Sequence, residues 1–264
     1  MNSINLLLIF MKSLHMKRYI HSFLYYLVLL LSVTLLSFVT RKDNPKQVLG
    51  AWQYSSGKEQ TVIIISAQIF SSATYNISEK KFISSYGGRW SIKDNKLILK
   101  TEWNSTDSSK VGTDWITDIS ITKKQLSLSG LPKKLDKLDD GTPGALAGAW
   151  IITGSYNNDQ VSKRRNPFYP RRTMKVLSGK HFQWIAYNMV TKQFIDTGGG
   201  TYTTENGKYT ETIHFFTKTA ESVGKTLSFD YSFVNGDWRH KGQKSTGGPM
   251  DECWTKRELL EPQQ

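Results

Sequence analysis

The sequence predicts an all-β protein, in which two small antiparallel meander β-barrels stand in tandem after an N-terminal hydrophobic leader helix. Two observations support this: the chain aligns with itself at a constant spacing, and apolar residues within each copy alternate with a period of two. The composition agrees, because only 7 residues are proline and 12% are aromatic. At 264 residues the chain has room for two domains once a leader is removed.

The pattern of residues 1–42 predicts an N-terminal leader. Two basic residues precede an uncharged run over 23–39, and two more follow it. This order is typical of a signal peptide or a signal anchor, so we expect export to the periplasm, the cell envelope or the medium, with residues 19–40 anchoring the protein in the membrane if the leader is not cleaved. A start at Met16 would give a conventional short basic region before the apolar run.

Cysteine usage and charge limit the possible functions. Cys253 is the only cysteine, so an intramolecular disulfide is impossible and stability must come from the packed cores. The formal net charge is +13, and part of it comes from a basic cluster between residues 163 and 172. Such a cluster suggests an anionic partner.

The repeat is the most informative feature. Residues 61–130 align without gaps on residues 173–242, a constant shift of 112, and an ungapped match of this length is not expected by chance. Upstream, the shift is 98, so the second copy carries about 14 extra residues, which include the basic cluster. The matched pairs include Phe70 with Phe182, Tyr75-Asn76 with Tyr187-Asn188, Phe82-Ile83 with Phe194-Ile195, and Gly87-Gly88 with Gly199-Gly200.

The repeat divides the chain into domains. We expect barrel 1 over residues 46–138, a linker over 139–145, barrel 2 over 146–258 and a short tail over 259–264. The linker is rich in Asp, Gly, Thr and Pro, which is typical of a domain boundary. We therefore expect the chain from residue 145 onward to fold alone.

Alternation of apolar and polar residues predicts the strands. Leu227, Phe229, Tyr231 and Phe233 alternate with polar residues, as half-buried strands do. Eight strands in one copy suit a closed meander barrel, whose interior can hold one small ligand. The predicted strands of the second copy lie at about 148–155, 172–178, 181–189, 193–204, 207–217, 227–233, 236–242 and 250–258.

The first and last strands carry a family resemblance. Gly148-Ala149-Trp150 opens the first strand of barrel 2 and Arg257 lies in its last strand, and with this pair the unit resembles the calycins, the superfamily of lipocalins and fatty-acid-binding proteins. The resemblance implies that Trp150 packs near Arg257 at the closed end. In barrel 1 the signature residues are Gly50 and Trp52, but residues 133–138 lack equivalents of Trp254 and Arg257, which leaves the closure of that barrel open.

A narrower resemblance covers nearly all of the second copy. The stretches 173–188 and 198–209 are similar to a lipocalin-like family of exported Bacteroidetes proteins. The doubled Gly-x-Trp opening, at a spacing that suits a barrel, adds to this resemblance.

The apolar face of each strand predicts what barrel 2 encloses. Most of its aromatic residues are explained by core packing, but the same face carries Glu211 and His240, where barrel 1 has Leu99 and Leu128. Polar groups inside a barrel cost about 1–3 kcal/mol each unless they are paired, so these two are candidates for orienting a ligand. The alternatives are that the assigned strand register is off by one, or that both side chains reach solvent at the barrel mouth. The predicted interior aromatic residues are Phe182, Trp184, Tyr209, Phe215, Phe229, Tyr231 and Trp238.

The inserted loop from Tyr156 to Pro170 follows the first strand, where calycins place a lid over the open end. Arginine offers a planar fork of donors to carboxylate or phosphate groups, so the loop and the strand after it could bind an anionic head group. The alternative is a solvated loop or one that touches an anionic membrane surface. The arginines concerned are Arg164, Arg165, Arg171 and Arg172.

Other motifs predict no chemistry. Gly198-Gly199-Gly200 opens no helix, so we interpret it as a barrel bend or bulge rather than a nucleotide site. The histidines lack metal-ligand spacing, and no partner residues mark Cys253 as a nucleophile. We therefore predict no catalytic residue, no metal and no cofactor, and export argues against a nucleic-acid partner.

Together these features favour a non-enzymatic protein, in the envelope or secreted, that binds a small, mostly apolar, anionic molecule such as a fatty acid or lipid in barrel 2. One alternative is an interaction module whose barrels are filled by their own side chains. Another is an enzyme with Glu211 and His240 as acid–base partners, which requires the two side chains to lie within hydrogen-bond reach.

Overall fold

The computed structural model describes Tyr25 and residues 45–261 apart from Tyr169. The predicted leader therefore lies outside the described residues, except for Tyr25. The described residues between 45 and 261 belong to one compact unit. In the described part of the chain, no helix is long and apolar enough to span a bilayer.

Barrel 1 is a closed eight-stranded antiparallel meander, in which each strand pairs with the next and the last pairs with the first. A 3₁₀ turn at Pro45–Val48 precedes it. Its strands are β1 Gly50–Ser56, β2 Glu59–Ile65, β3 Ile69–Asn76, β4 Lys81–Lys93, β5 Lys96–Asn104, β6 Asp114–Ile121, β7 Gln125–Leu128 and β8 Leu135–Asp139.

Barrel 2 repeats this meander with a divided second strand. β9 pairs with β17 on one side, which closes the barrel, and with both β10 and β11 on the other side. The inserted residues thus interrupt the second strand. The strands are β9 Gly148–Asn157, β10 Gln160–Lys163, β11 Arg171–Leu177, β12 His181–Asn188, β13 Gln193–Glu205, β14 Lys208–Phe216, β15 Thr226–Val234, β16 Asp237–Gln243 and β17 Pro249–Lys256.

The closed ends of the two barrels are built alike. Trp52 Nε1 donates a hydrogen bond to the Val48 carbonyl (2.8 Å), and Lys137 of β8 lies 4.7 Å from the centre of the Trp52 ring. In barrel 2, Trp150 Nε1 donates to the carbonyl four residues before it (2.9 Å), and Lys256 of β17 lies 5.7 Å from the ring centre. Barrel 1 is closed by the pairing of β1 with β8, although it lacks counterparts of Trp254 and Arg257.

Arg257 does not take the place that the family resemblance implied. It follows Lys256, begins the 3₁₀ turn Arg257–Leu259, and turns away from the Trp150 ring toward barrel 1. There its guanidinium donates to both carboxylate oxygens of Glu102, at 2.9 and 2.6 Å. The cation beside Trp150 is Lys256, so the expected pairing of Trp150 with Arg257 is wrong.

The two barrels share a buried core. The outward side chains of β11 and β12 pack against those of β2, β3 and β5, and the cluster is almost entirely apolar. Such a contact removes apolar area from water on both sides at once. The buried members are Ala51, Val62, Ile64, Ile69, Ala73, Tyr75, Trp103, Ile151, Met174, Val176, Ile185, Tyr187 and Phe215.

This interface has an approximate two-fold symmetry, because residues 112 apart in sequence meet one another. Phe82 stacks on Phe194, with ring centres 5.9 Å apart, and Ser71 hydrogen-bonds to Gln183. Contacts farther from the approximate two-fold axis occur as pairs that the symmetry relates to each other. Tyr75 packs on Phe215 (4.7 Å), while Trp103 packs on Tyr187 (5.4 Å). A contact of this kind is isologous, as in symmetric dimers.

β-Bulges at matched positions direct these aromatic side chains into the interface. The register shifts between Gly199 and Gly200, where His214 is the extra residue of β14, and it shifts at the matching glycines of barrel 1. Because of the extra residue, the side chains beyond the bulge point to the opposite side of the sheet from the one that strict alternation predicts. Phe215, predicted to lie inside barrel 2, therefore lies between the barrels, and the glycine triplet is a bulge as expected.

The shared core bears on the independence of barrel 2. A fragment that starts at residue 145 would expose Met174, Val176, Ile185 and Tyr187, all of which are buried in the whole chain. Exposed apolar patches of this kind promote association. The expectation that this fragment folds alone stays a prediction, and we now expect such a fragment to self-associate.

Candidate ligand-binding site in the second barrel

The interiors of the two barrels differ in chemistry. Barrel 1 has an apolar core cluster, whereas barrel 2 encloses polar side chains at four positions where barrel 1 has isoleucine or leucine. The alignment of the two copies shows which residue of barrel 2 stands in place of which residue of barrel 1. Ile63, Leu97, Leu99 and Leu128 of barrel 1 correspond to Lys175, Tyr209, Glu211 and His240 of barrel 2.

Lys175 is the most buried cation of the barrel 2 interior, with 5% of its surface exposed. Its Nζ lies 4.7 Å from the centre of the Tyr209 ring and 5.2 Å from that of Trp238, and it lies 3.4 Å from Glu211 Oε2. Aromatic faces and a carboxylate both stabilise a desolvated ammonium group. These neighbours therefore stabilise the ammonium group of Lys175, and its contact with Glu211 holds that carboxylate in place.

Glu211 is 8% exposed and lies inside the barrel, as the alternation predicted. Its Oε2 accepts a hydrogen bond from the Tyr209 hydroxyl (2.9 Å) as well as the contact with Lys175. Burial and the neighbouring carboxylate raise the pKa of Tyr209 well above its ordinary value. Tyr209 therefore stays protonated and remains a donor to Glu211.

His240 is buried, with 2% of its surface exposed. Burial first, and then repulsion by Lys175, lowers its pKa to about 4, so the imidazole is neutral at pH 7. Glu252 opposes this lowering, because its Oε2 lies 3.5 Å from Nδ1, but the contact does not have hydrogen-bond geometry, so neither ring nitrogen has a hydrogen-bond partner among the described residues. Trp238 Nε1, in the adjacent ring, is unpartnered in the same sense.

These contacts test whether Glu211 and His240 are arranged as the enzyme alternative requires. It required Glu211 and His240 to lie within hydrogen-bond reach, but His240 makes no hydrogen bond within the described part of the chain, and Glu211 is engaged by Lys175 and Tyr209. The proposed acid–base pair is therefore not formed in this structure.

A cavity of about 400 Å³ opens at the end of barrel 2 that lies away from Trp150. Volumes in this range are typical of small-molecule sites. Four of the predicted site residues line it: Trp184, Glu211, Phe229 and His240. The other lining residues are Ile152, Thr173, Lys175, Phe216, Lys218, Lys244, Ser245, Thr246, Met250, Glu252 and Trp254.

The remaining predicted aromatic residues lie elsewhere. Phe182, Tyr209 and Trp238 are buried in the aromatic cluster that includes Trp150, and they form a packed floor. Tyr231 packs at the edge of this cluster. The cavity is therefore limited to the upper part of the barrel.

The rim of the cavity is basic. Lys218 lies 5.3 Å from the centre of the Trp184 ring, and Lys244 projects from the turn between β16 and β17. Among the lining residues three are lysines and two are glutamates, and Lys175 is already opposed by Glu211. The charge that remains at the mouth is positive.

Sequence reasoning missed the lysines of this site. Lys175 could have been found, because its aligned partner is Ile63, an interior residue of barrel 1. Lys218 and Lys244 lie in connections between strands, where alternation gives no direction for a side chain.

The arginine loop does not cover the mouth. Arg172 packs on Phe168 and donates to Glu102 of barrel 1 (2.9 Å), so it belongs to the interface between the barrels. Arg165 and Arg171 are exposed, and Arg164 lines a neighbouring recess that shares Glu252 with the cavity. The loop bends toward barrel 1 because Phe168 packs into the shared core.

The other reactive side chains are engaged in structural contacts. His181 Nδ1 lies 2.9 Å from Asp139 at the end of β8, where the carboxylate also accepts a hydrogen bond from Ser178. Cys253 is buried beside Thr153 and Asp237. Among the described residues, no group of three or more His, Cys, Asp or Glu side chains could hold a metal ion.

Comparison with known proteins adds one finding for barrel 2. Residues 145–263 match the family described as Domain of unknown function (DUF4488). The matched range coincides with barrel 2 and the turn after it. No curated protein matches the chain. The family match and the structure agree on a barrel-type fold.

Proposed function

We propose that the open end of barrel 2 binds a small, mostly apolar anion, and that the protein acts as a non-enzymatic carrier or sensor of this molecule after export. The observation that carries the proposal is the imidazole of His240 beside the cavity, which has no hydrogen-bond partner among the described residues and stands where barrel 1 has leucine. A buried polar group without a partner costs about 1–3 kcal/mol, and a ligand that pairs with it would recover this cost.

The charge of the rim favours an anion. Lys218 and Lys244 are both exposed at the mouth, and Arg164 lies in the adjoining recess. Deeper in the cavity the ammonium of Lys175 is balanced by Glu211. A carboxylate at the rim would therefore meet cations, whereas a second carboxylate deep inside would lie close to Glu211.

The size of the cavity favours a compact ligand. Its walls include Trp184, Phe216 and Phe229, which offer flat apolar faces. Below them the interior is filled by aromatic rings, so a long acyl chain would have to displace the packed floor. Among the amphipathic molecules that the sequence suggested, a short or aromatic acid fits this space better than a long-chain fatty acid.

Kinship with the lipocalins, export and membrane anchoring form part of the same proposal. The tandem meander barrels and the Trp at the start of each first strand support the kinship. The order of charges around residues 23–39 supports export.

The alternative is an interaction module with filled barrels. Barrel 1 favours it, because its interior is packed with leucine, isoleucine and Trp52. On our proposal barrel 1 supports barrel 2 through the shared core, and only barrel 2 binds.

The test is a fluorescence titration of the full chain, since Trp184 and Trp254 line the cavity. We expect 1-naphthylacetate to quench or shift the emission, and 1-naphthylmethylamine to bind at least about tenfold more weakly. The double variant Lys218→Gln, Lys244→Gln should weaken binding of the anion and lower its dependence on salt. The matched control is Lys123→Gln, Lys124→Gln in an exposed turn of barrel 1. Equal binding of anion and cation, or none, would contradict the proposal.

A further inference from the structure

We infer that the ligand of barrel 2 carries, opposite its anionic group, a neutral hydrogen-bonding group such as a hydroxyl, which pairs with the imidazole of His240. This inference rests on the proposed function and names the ligand class more closely. It distinguishes hydroxylated aromatic acids from acids with a purely hydrocarbon body.

The setting of His240 supports a fixed polar contact. Its ring lies 4.3 Å from that of Phe229, 5.0 Å from that of Trp238 and 5.4 Å from that of Tyr209, measured between ring centres. Aromatic packing on several sides leaves the imidazole little rotational freedom. A group held in this way can select a ligand by the position of one hydrogen bond.

The hydrogen-bonding capacity of His240 defines the chemistry of the partner. A neutral imidazole has one N–H donor and one acceptor nitrogen, and both ring nitrogens lack partners within the described residues. A hydroxyl group can donate to one nitrogen or accept from the other. A methyl group of similar size can do neither, so it would leave the cost of the unpaired imidazole in place.

The charged neighbours agree with a neutral group at this depth. Lys175 faces His240 from β11, Glu211 lies on β14, and Glu252 on β17 is 3.5 Å away. Two carboxylates and one ammonium around the imidazole disfavour a second anion there. The anionic end of the ligand therefore lies at the rim, beside Lys218 and Lys244.

The experiment compares 4-hydroxyphenylacetate with 4-methylphenylacetate, which match in size and charge, by calorimetric titration of the full chain. We expect the hydroxyl compound to bind about tenfold more tightly to the wild type, since one satisfied hydrogen bond is worth roughly that factor. In His240→Leu, which copies Leu128 of barrel 1, the two compounds should bind with the same affinity.

The outcomes separate this inference from the proposed function. Equal binding of both compounds by the wild type would overturn the inference and leave the proposed function standing, with water as the partner of His240. Preference for the hydroxyl compound that persists in His240→Leu would also overturn it. If neither compound binds, the proposed function and the inference both fail. The wild-type comparison needs no variant, so it holds even if His240→Leu does not fold.

Discussion

At the scale of single residues, the inside of barrel 2 differs from that of barrel 1 by a few exchanges of hydrocarbon for polar side chains. Lys175 and Glu211 stabilise each other, whereas His240 has no hydrogen-bond partner among the residues that the structure describes. Because an unpaired polar group inside a barrel costs free energy, we relate its presence to a ligand rather than to stability.

The pH dependence of stability should report the state of His240. Its pKa is lowered from about 6.5 to about 4, so the unfolded chain binds this proton more readily than the folded chain. The neutral imidazole of His240 therefore makes its full contribution to the free energy of unfolding above pH 6.5, and this contribution is lost as the pH falls to 4. By pH 4 the wild type should lose about 3 kcal/mol that His240→Leu retains, as measured by urea unfolding across this range. Parallel curves for the two proteins would contradict this assignment.

The Lys175–Glu211 pair should behave as a unit. Glu211→Leu leaves the ammonium of Lys175 buried without its carboxylate and should lower the free energy of unfolding by about 3–5 kcal/mol. The double variant Lys175→Ile, Glu211→Leu reproduces the residues of barrel 1 and should recover most of the loss. Additive losses in urea unfolding would show that the two groups do not interact.

At the scale of strands, alternation predicted both the number of strands and the burial of Glu211 and His240. It failed where the period of two is interrupted. The bulge at His214 turns Phe215 outward, and the insertion divides the second strand into β10 and β11. The period of two does not mark a bulge or an insertion, so it could not predict either effect. The arginine loop was misplaced because Phe168 packs into the shared core, and this contact with barrel 1 is not encoded in any local pattern of barrel 2.

The first strand of each barrel should depend on its tryptophan. Trp150 is 1% exposed and packs against Trp238 at 5.8 Å between ring centres. Trp150→Ala should cost about 3–5 kcal/mol in thermal or chemical unfolding, the usual range for a truncated core aromatic. Trp52→Ala, with the same backbone hydrogen bond in barrel 1, is the matched variant and should cost a similar amount. Wild-type stability for either variant would rule out this account of the closed ends.

At the scale of the whole molecule, two repeats pack as a symmetric dimer would, but charge makes the contact unequal. Glu102 and His214 occupy equivalent positions, and only Glu102 meets arginines, namely Arg172 and Arg257. Although burial favours its neutral form, these arginines hold the pKa of Glu102 below its ordinary value. Two copies of barrel 2 packed in the same way would bring Arg257 against His214 instead, so self-association of the fragment would lack the ion pair that joins the two barrels.

The two barrels should therefore unfold in one transition. The charged contact of Glu102 should contribute strongly to the stability of the two barrels together. Glu102→Leu leaves the buried guanidinium of Arg257 with Glu261 as its remaining carboxylate, so we expect a loss at the lower end of the range for a broken buried pair, about 3 kcal/mol. The exposed Glu79→Leu serves as the control. Differential scanning calorimetry should show one transition in the wild type and a lower midpoint in the variant. An unchanged midpoint would mean that the charged contact contributes nothing to the assembly of the barrels.

The central claim is that binding depends on the polar interior of barrel 2. The most direct measurement is calorimetric titration of 4-hydroxyphenylacetate into the full chain and into the variant Lys175→Ile, Glu211→Leu, His240→Leu, which gives barrel 2 the residues of barrel 1. We predict that the wild type binds and that the variant, while folded by its melting transition, binds at least about tenfold more weakly. Equal binding by a folded variant would contradict the claim.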